Sequence, residues 1–252
     1  MHYKTKEILV SVVIPTHQRG DMLVECLRSV QHQSHQLFEC LVVGDDPAEF
    51  DEIAQRIASL GDARIRFIPG QRPGANASRN LGIAHAKGEY VFYLDDDDEW
   101  LPTKIEKHLA AHGKGRNIVL SRIILRYSGE VVVSIERTRR ELHGGTQARM
   151  LRFEWCPPTS SCVSLSIALA KSQLWDETLW SYQDWDVWYR LLGSADVGYV
   201  DEALTVFSQH AGVRTSQGFL KRKKALRLLA DKYDGELSVE VINARLRQEY
   251  LR

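Results

Sequence analysis

No apolar run in these 252 residues approaches the roughly 20 residues that a bilayer-spanning helix needs. A spanning segment is therefore not expected. The stretch Met1 to Glu7 is polar and leads into a short apolar strand, without the apolar core of a secretory leader. Cysteine is scarce: Cys26, Cys40, Cys156 and Cys162 are too few to staple a chain of this size, and they lack CxxC or Cys/His zinc spacing. They read as reduced thiols in a cytoplasmic protein. Net charge is missing too, 33 Lys and Arg balancing 33 Asp and Glu, so no global field draws the chain to nucleic acid or anionic lipid. Any basic site must be local. There are no internal repeats and no low-complexity linker. What remains, 44% hydrophobic and 26% charged, is the composition of a folded protein with a real core.

The first half alternates short apolar runs with amphipathic stretches. Leu9 to Ile14 reads as a buried strand ended by Pro15, followed by a helix with Asp21 as N-cap and Leu23, Val24, Leu27 and Val30 on one face. Cys40 to Val43 is a second strand, closed by Gly44-Asp45-Asp46-Pro47, and a helix over Asp51 to Leu60 leads to a strand at Ile65 to Ile68. The loop from Pro69 to Gly74 precedes a helix from about Asn76 to Ala86, with Gly88 placed to cap its end. Val- and Ile-rich strands alternating with helices predict parallel βαβ units, whose functional groups collect at the strand C-termini. After Pro102 a helix from Thr103 to His112 is followed by a candidate hairpin, Asn117 to Tyr127 and Glu130 to Ile135. Ser160 to Ala168 alternates like a strand, and Gln183 to Leu192 is a strongly amphipathic helix.

Four consecutive aspartates, Asp95 to Asp98, follow the apolar run Tyr90 to Leu94. A strand thus delivers stacked carboxylates to its C-terminal end, where open α/β sheets bind ligands. Crowded like charges repel, and an oxygen-ligated Mg²⁺ or Mn²⁺ relieves them. An acidic turn closing a strand is the competing reading, since Asp suits turns and caps.

These landmarks resemble the family 2 glycosyltransferases, with a GT-A type nucleotide-sugar-binding fold: a mixed, mostly parallel α/β sheet flanked by helices, Rossmann-like in its N-terminal half. The resemblance spans roughly Val10 to Ser216. Ser11-Val12-Val13-Ile14-Pro15-Thr16, Val42-Val43-Gly44-Asp45-Asp46, Ala77-Ser78-Arg79-Asn80-Leu81-Gly82-Ile83-Ala84, Gly88 to Asp98, and Gln183-Asp184-Trp185-Asp186 with Arg190 carry it. It implies a domain over 9–218, with a nucleotide-sugar half at 9–112 and an acceptor half at 113–218. Residues 1–8 are an extension and 219–252 a basic helical tail.

The resemblance places Pro15, Thr16 and Asp46, with Asp45 as neighbouring candidate, in the nucleobase pocket, although Pro47 stands where such enzymes usually have Gly. A carboxylate there accepts the imide N–H of uracil and repels cytosine's ring acceptor, which favours a UDP-sugar, or a dTDP-sugar, as donor. Arg79 would approach the base or diphosphate; otherwise it is a helix-surface arginine. Asp95-Asp96-Asp97 matches the family's DXD signature, with Asp95 and Asp96 toward ribose or sugar and Asp97 on the cation. Asp98 would cap the helix after Pro102 or support its neighbours. Asp184 is the implied base that takes the acceptor's proton in an inverting transfer, against a plain N-cap. Asp186 is expected to pair with Arg190 on the helix surface. Trp180, Tyr182 and Trp185 are acceptor-site candidates, Trp188 a core residue, His210 a further metal ligand and Arg214 a phosphate partner. The expected acceptor is a glycan or lipid-linked glycan of surface polysaccharide assembly. A basic amphipathic tail with Lys221 to Lys224 and Arg227 could lie on the inner face of a membrane, against a solvated helix face. Two other classes are a nucleotidyltransferase, disfavoured because Thr16 to Gly20 offers one Gly and no Lys, and a non-catalytic nucleotide-sugar-binding module.

Overall fold

The computed structural model describes residues 7–127, 130–135, 156–192, 195–209 and 219–250. Strands β1 (Val10–Thr16), β2 (Phe38–Gly44), β3 (Ile65–Pro69) and β4 (Tyr90–Tyr93) alternate with helices α1 (Gly20–Gln31), α2 (Phe50–Ser59) and α3 (Ala75–His85). Then come β5 (Glu99–Trp100), α4 (Lys104–His112) and the hairpin β6 (Ile118–Tyr127) and β7 (Glu130–Ile135). The chain continues through β8 (Val163–Ser166), α5 (Ile167–Ser172), α6 (Gln183–Leu192), β9 (Val197–Gln209), α7 (Phe219–Lys232) and α8 (Val239–Tyr250).

One sheet runs β3-β2-β1-β4-β8-β6-β9-β5, with β7 paired to β6. The β1–β2, β2–β3, β1–β4 and β6–β9 pairs are parallel, whereas β8 is antiparallel to both β4 and β6. Both faces are covered, which is why β1 is buried along its whole length and apolar but for Ser11 and Thr16. On one face Val12, Ile14 and Val42 meet Leu27 of α1, Ile53 of α2 and Ile105 of α4; on the other Val13, Val43 and Tyr93 meet Ile83 of α3 and Trp188 of α6. Val10, Val12, Val13 and Ile14 are all 0% exposed, and burying each contributes about 2 kcal/mol. Gly82 lets α3 approach β1, since a Cβ there would stand 2.4 Å from a methyl of Val13. Gly88 does the same for the turn into β4, where a Cβ would reach 2.5 Å from the Ser11 nitrogen.

Several expectations shift. Asp21 lies inside α1, whose N-cap is Arg19 with no capping side chain. The strand expected from Ser160 to Ala168 is a 3₁₀ turn over Ser160–Cys162, then β8, then α5 capped by Ser166. The tail is not a free amphipathic helix: Ala225, Leu226, Leu229, Tyr233, Leu237 and Ile242 join the core beside Trp185 and Trp188. Its apolar face is thereby consumed, leaving Lys221, Lys224 and Arg227 outside. The basic loop of Arg137 to Gly145 lies outside the described residues. Among the described residues all four cysteines are free thiols, and no helix is long and apolar enough to cross a membrane.

Candidate active site

The C-terminal ends of β1, β2 and β4 lie side by side at one edge of the sheet. Thr16 ends β1 and is 4% exposed. Pro15 beside it is buried within the strand, in register with Val43 of β2. Beyond β1 the chain turns sharply, with Gln18 at φ +52° and Gly20 at +36°. Gln18 N–H donates to Glu49 at 2.8 Å, His17 Nδ1 lies 2.7 Å from Asp45, and His17 N–H donates to Asp96 at 3.2 Å. Arg19 is thereby brought to 3.6 Å from both Asp96 and Asp97.

The two carboxylates after β2 part company. Asp45 turns toward the β3–α3 loop and accepts the Gly74 N–H at 2.6 Å. Asp46 accepts the Ala48 N–H at 3.0 Å and caps the 3₁₀ turn whose first residue is Pro47. Pro is well suited there, because that N–H has no partner to lose. His17, Asp46 and Glu49 also bring ligand atoms within 4.8 Å of one another at the exposed rim, a grouping that sequence spacing did not suggest.

Arg79 is not a surface residue. It is 5% exposed, donates to Asp95 at 2.7 Å, and lies 4.4 Å over the Trp175 ring. On the same face of α3, Asn76 donates to the Asp176 and Leu179 carbonyls, and Asn80 exchanges hydrogen bonds with the Trp175 backbone. These side chains tie α3 to the segment that leads into α6.

The four aspartates occupy four environments. Asp95 takes the Arg79 guanidinium, and its N–H donates to Ser161 Oγ at 2.9 Å. Burial first, and the neighbouring Asp97 second, push Asp96 up to about 8, opposed by Thr16, Arg19 and the His17 N–H. Asp97 stays partly open beside Arg19. Asp98 is fully buried and accepts from Ser161 Oγ at 2.6 Å, Thr159 Oγ1 at 3.1 Å and Ser208 N–H at 3.0 Å. Burial, with Asp95 and Asp97 adding to it, lifts Asp98 well above the ordinary carboxylate range. It does not cap α4, whose N-cap is Thr103. Instead it joins the β4–β5 turn to β9. Carboxylate oxygens are the hard donors that Mg²⁺ or Mn²⁺ takes, and in this cluster Arg19 and Arg79 are the cations they face.

Asp184 lies on the first turn of α6. It accepts from Ser160 Oγ at 2.9 Å. Burial raises its pKa; the Arg79 charge and Ser160 oppose the rise, and the Asp95 charge adds to it. Arg79, paired with Asp95, is thus within electrostatic reach of Asp184 as well. Trp180 is 44% exposed and its ring edge lies by Gly74, 3.6 Å from where a Cβ would be. Tyr182 is partly buried, at φ +58°. Trp185 departs from its expected acceptor role: it is 3% exposed, stacked on Tyr189 at 5.2 Å and edge-on to Tyr233, inside the core. Helical periodicity turns position 185 inward even though position 184 faces Ser160.

Asp186 departs too. It is 0% exposed rather than on the surface, and it accepts from Arg190 at 2.9 Å and from Tyr233 Oη at 2.7 Å, with Lys232 Nζ at 2.8 Å. The expected Arg190 pair is present within α6, and it is the Lys232 and Tyr233 contacts of Asp186 that hold α7 on α6. His210 and Arg214 lie outside the described residues. Arg19, Thr159, Ser160 and Ser161 join the site without a sequence signal, because a lone arginine and hydroxyls in loops leave no periodic pattern.

A mixed, mostly parallel open sheet flanked by helices is the GT-A type fold of nucleotide-sugar enzymes. Truncated TarS of S. aureus, solved with UDP-GlcNAc, has the same fold: TM-score 0.71 at 19% identity, over 97% of this chain and 72% of that one. The chain belongs to glycosyl transferase family 2, whose model matches residues 11–170. An uncharacterized glycosyltransferase of Rickettsia conorii is 28% identical over 207 residues, 82% of this chain and 34% of the relative. A putative colanic acid biosynthesis glycosyl transferase of Escherichia coli is 35% identical over 103 residues, 40% of this chain and 37% of the relative. The match therefore spans about a third of the length of each of these two relatives.

Proposed function

We propose that this chain is an inverting glycosyltransferase that moves a sugar from a UDP-sugar, or a dTDP-sugar, to an acceptor hydroxyl. The observation that carries this reading is the buried Arg79, whose charge is shared by Asp95 on the strand side and Asp184 on the helix side. On this reading Asp95 would serve the donor and Asp184 would take the acceptor's proton, with Arg79 interacting with both.

Thr16 and Asp45 would bound the nucleobase pocket, with Asp46 at its rim and the Gly74 N–H fixing the Asp45 carboxylate. Asp97, with Asp95 and Asp96 toward ribose or sugar and His210 as a further ligand, would hold Mg²⁺ or Mn²⁺, whose charge stabilises a departing diphosphate. Arg79 and Arg19 add fixed positive charge on the same side. Asp184 accepts the acceptor's hydroxyl proton as that oxygen attacks the anomeric carbon from the face opposite the leaving group, so configuration inverts. Its raised proton affinity brings it nearer to the pH at which it must exchange that proton. Trp180 and Tyr182, flanking it, offer stacking surface to an acceptor sugar.

TarS crystallises with UDP-GlcNAc and with UDP, which supports a uridine donor. Relatives named for colanic acid, amylovoran and teichuronic acid biosynthesis support a polysaccharide or lipid-linked glycan acceptor. Such an acceptor would be met in the cytoplasm at the membrane's inner face, with the outward lysines and arginines of α7 toward anionic lipid. The test is a UDP-sugar panel read by UDP release, with Mn²⁺ or with chelator, beside Asp184→Asn. Turnover should require the ion and fall at least about 100-fold in the variant, with UDP affinity unchanged. Normal turnover of Asp184→Asn would remove it as the base.

A further inference from the structure

We propose that the C-terminal helix pair is part of the catalytic apparatus, with Arg245 of α8 acting through Tyr182 as a positioning residue for Asp184. This rests on the reading of Asp184 as the proton acceptor. Tyr182 directly precedes α6 and sits at φ +58°, a left-handed conformation that an L-residue with a bulky side chain adopts only when its surroundings hold it there. Its carbonyl accepts the Asp186 N–H at 3.0 Å, closing the first turn of α6 around Asp184. Arg245 Nε donates to the Tyr182 hydroxyl at 3.1 Å, and its guanidinium lies 5.6 Å from the ring centroid.

The same helix pair grips the other end of that turn. Tyr233 and Lys232 hold Asp186 at 2.7 and 2.8 Å, and one turn further on Tyr189 bonds to Glu236. Asp184 is therefore suspended between two points, residues 182 and 186, both anchored from residues 232–245. The donor side is held by other parts of the chain: Gly74 on Asp45, Arg79 and Ser161 on Asp95. Loosening Arg245 should displace the base and leave nucleotide binding alone.

The test compares Arg245→Ala, Arg245→Lys and Tyr182→Phe with the unchanged chain and Asp184→Asn, using whichever UDP-sugar releases UDP fastest. Arg245→Ala and Tyr182→Phe should lower kcat about 10-fold, with donor KM, UDP affinity and melting temperature unchanged. Amide exchange in 182–186 should quicken in both. Arg245→Lys, which keeps a donor and a cation near the ring, should recover part of kcat. Unchanged kcat in Arg245→Ala overturns the proposal, and so does a parallel loss of melting temperature and UDP affinity, which would mark a purely structural contact. Asp184→Asn separates the two readings. Full turnover there removes the base itself, whereas lost turnover there with normal Arg245→Ala removes only the brace.

Discussion

Lys104, on α4, is fully buried; its ammonium nitrogen donates to Ser121 Oγ at 2.9 Å and lies 5.9 Å from the Trp100 ring centroid. Among the described residues no carboxylate pairs with it, and burial pulls its pKa from 10.5 to about 7. Below pH 10.5 the unfolded chain takes up a proton that the folded chain refuses, so native stability falls as pH drops from 10.5 toward 7 and is level below that. At about 1.4 kcal/mol per pH unit the full penalty is about 5 kcal/mol, nearly all of it present at neutral pH. Lys104→Met keeps most of the buried stem and deletes the amine, at the loss of one hydrogen bond of about 1 kcal/mol. Relaxation and water entry around a buried amine reduce the gain, so the variant should be about 2–3 kcal/mol more stable at pH 7. For a domain of this size that is a rise in Tm of about 5–10 °C. Urea unfolding of both proteins, followed by tryptophan fluorescence at pH 7, 8, 9 and 10, measures the difference directly, because other titrating groups cancel. The gap should close by about 1 kcal/mol per pH unit. A gap that does not change between pH 7 and 10, or a variant less stable at pH 7, would refute the reasoning.

Burial holds His112 down to about 4, and His108 well below its ordinary value; both rings contact Ser164 Oγ, at 2.8 and 2.7 Å. Each is neutral when folded, so stability is full above pH 6.5 and is lost as the pH falls toward 4, by about 3 kcal/mol for His112 alone. Melting temperatures across that window should drop steeply, and His112→Gln should flatten the drop. Asp186→Ala strips the anion from Arg190 and the acceptor from Tyr233 Oη, while Lys232 keeps Asp176 at 2.7 Å, and should cost about 2–3 kcal/mol. Limited proteolysis should then cut first within 219–250; a tail as resistant as before would show that α7 docks without Asp186. Gly88→Ala drives a Cβ to 2.5 Å from the Ser11 backbone nitrogen, and should cost about 3 kcal/mol in urea unfolding.

The strand and helix alternation of residues 9–112 was legible because it is written in local periodicity: β1 is apolar but for Ser11 and Thr16, and Leu23, Leu27 and Val30 mark one face of α1. Helix α6 was legible for the same reason, starting at Gln183 and ending at Leu192 as its pattern indicates. Element ends were less so. Ser160 to Ala168 alternates like a strand, yet the Thr159 side chain turns the chain into a 3₁₀ bend and Ser166 starts a helix.

By itself, the order of residues determined that carboxylates end up at the C-terminal edge of parallel strands, since an apolar run followed by acids can place them nowhere else in a doubly covered sheet. Only the tertiary structure decided which acid does what. Asp95 to Asp98 are chemically identical neighbours, but Arg79, Arg19, Thr159, Ser161 and Ser208 treat each one differently, and the last of these contacts spans 110 positions in the chain. The same holds for Asp186, which an i,i+4 spacing assigns to the surface and which the packing of α7 buries. Charge, hydration and pKa follow from what surrounds a group, and those surroundings are assembled by sheet register and helix packing rather than by neighbours in sequence.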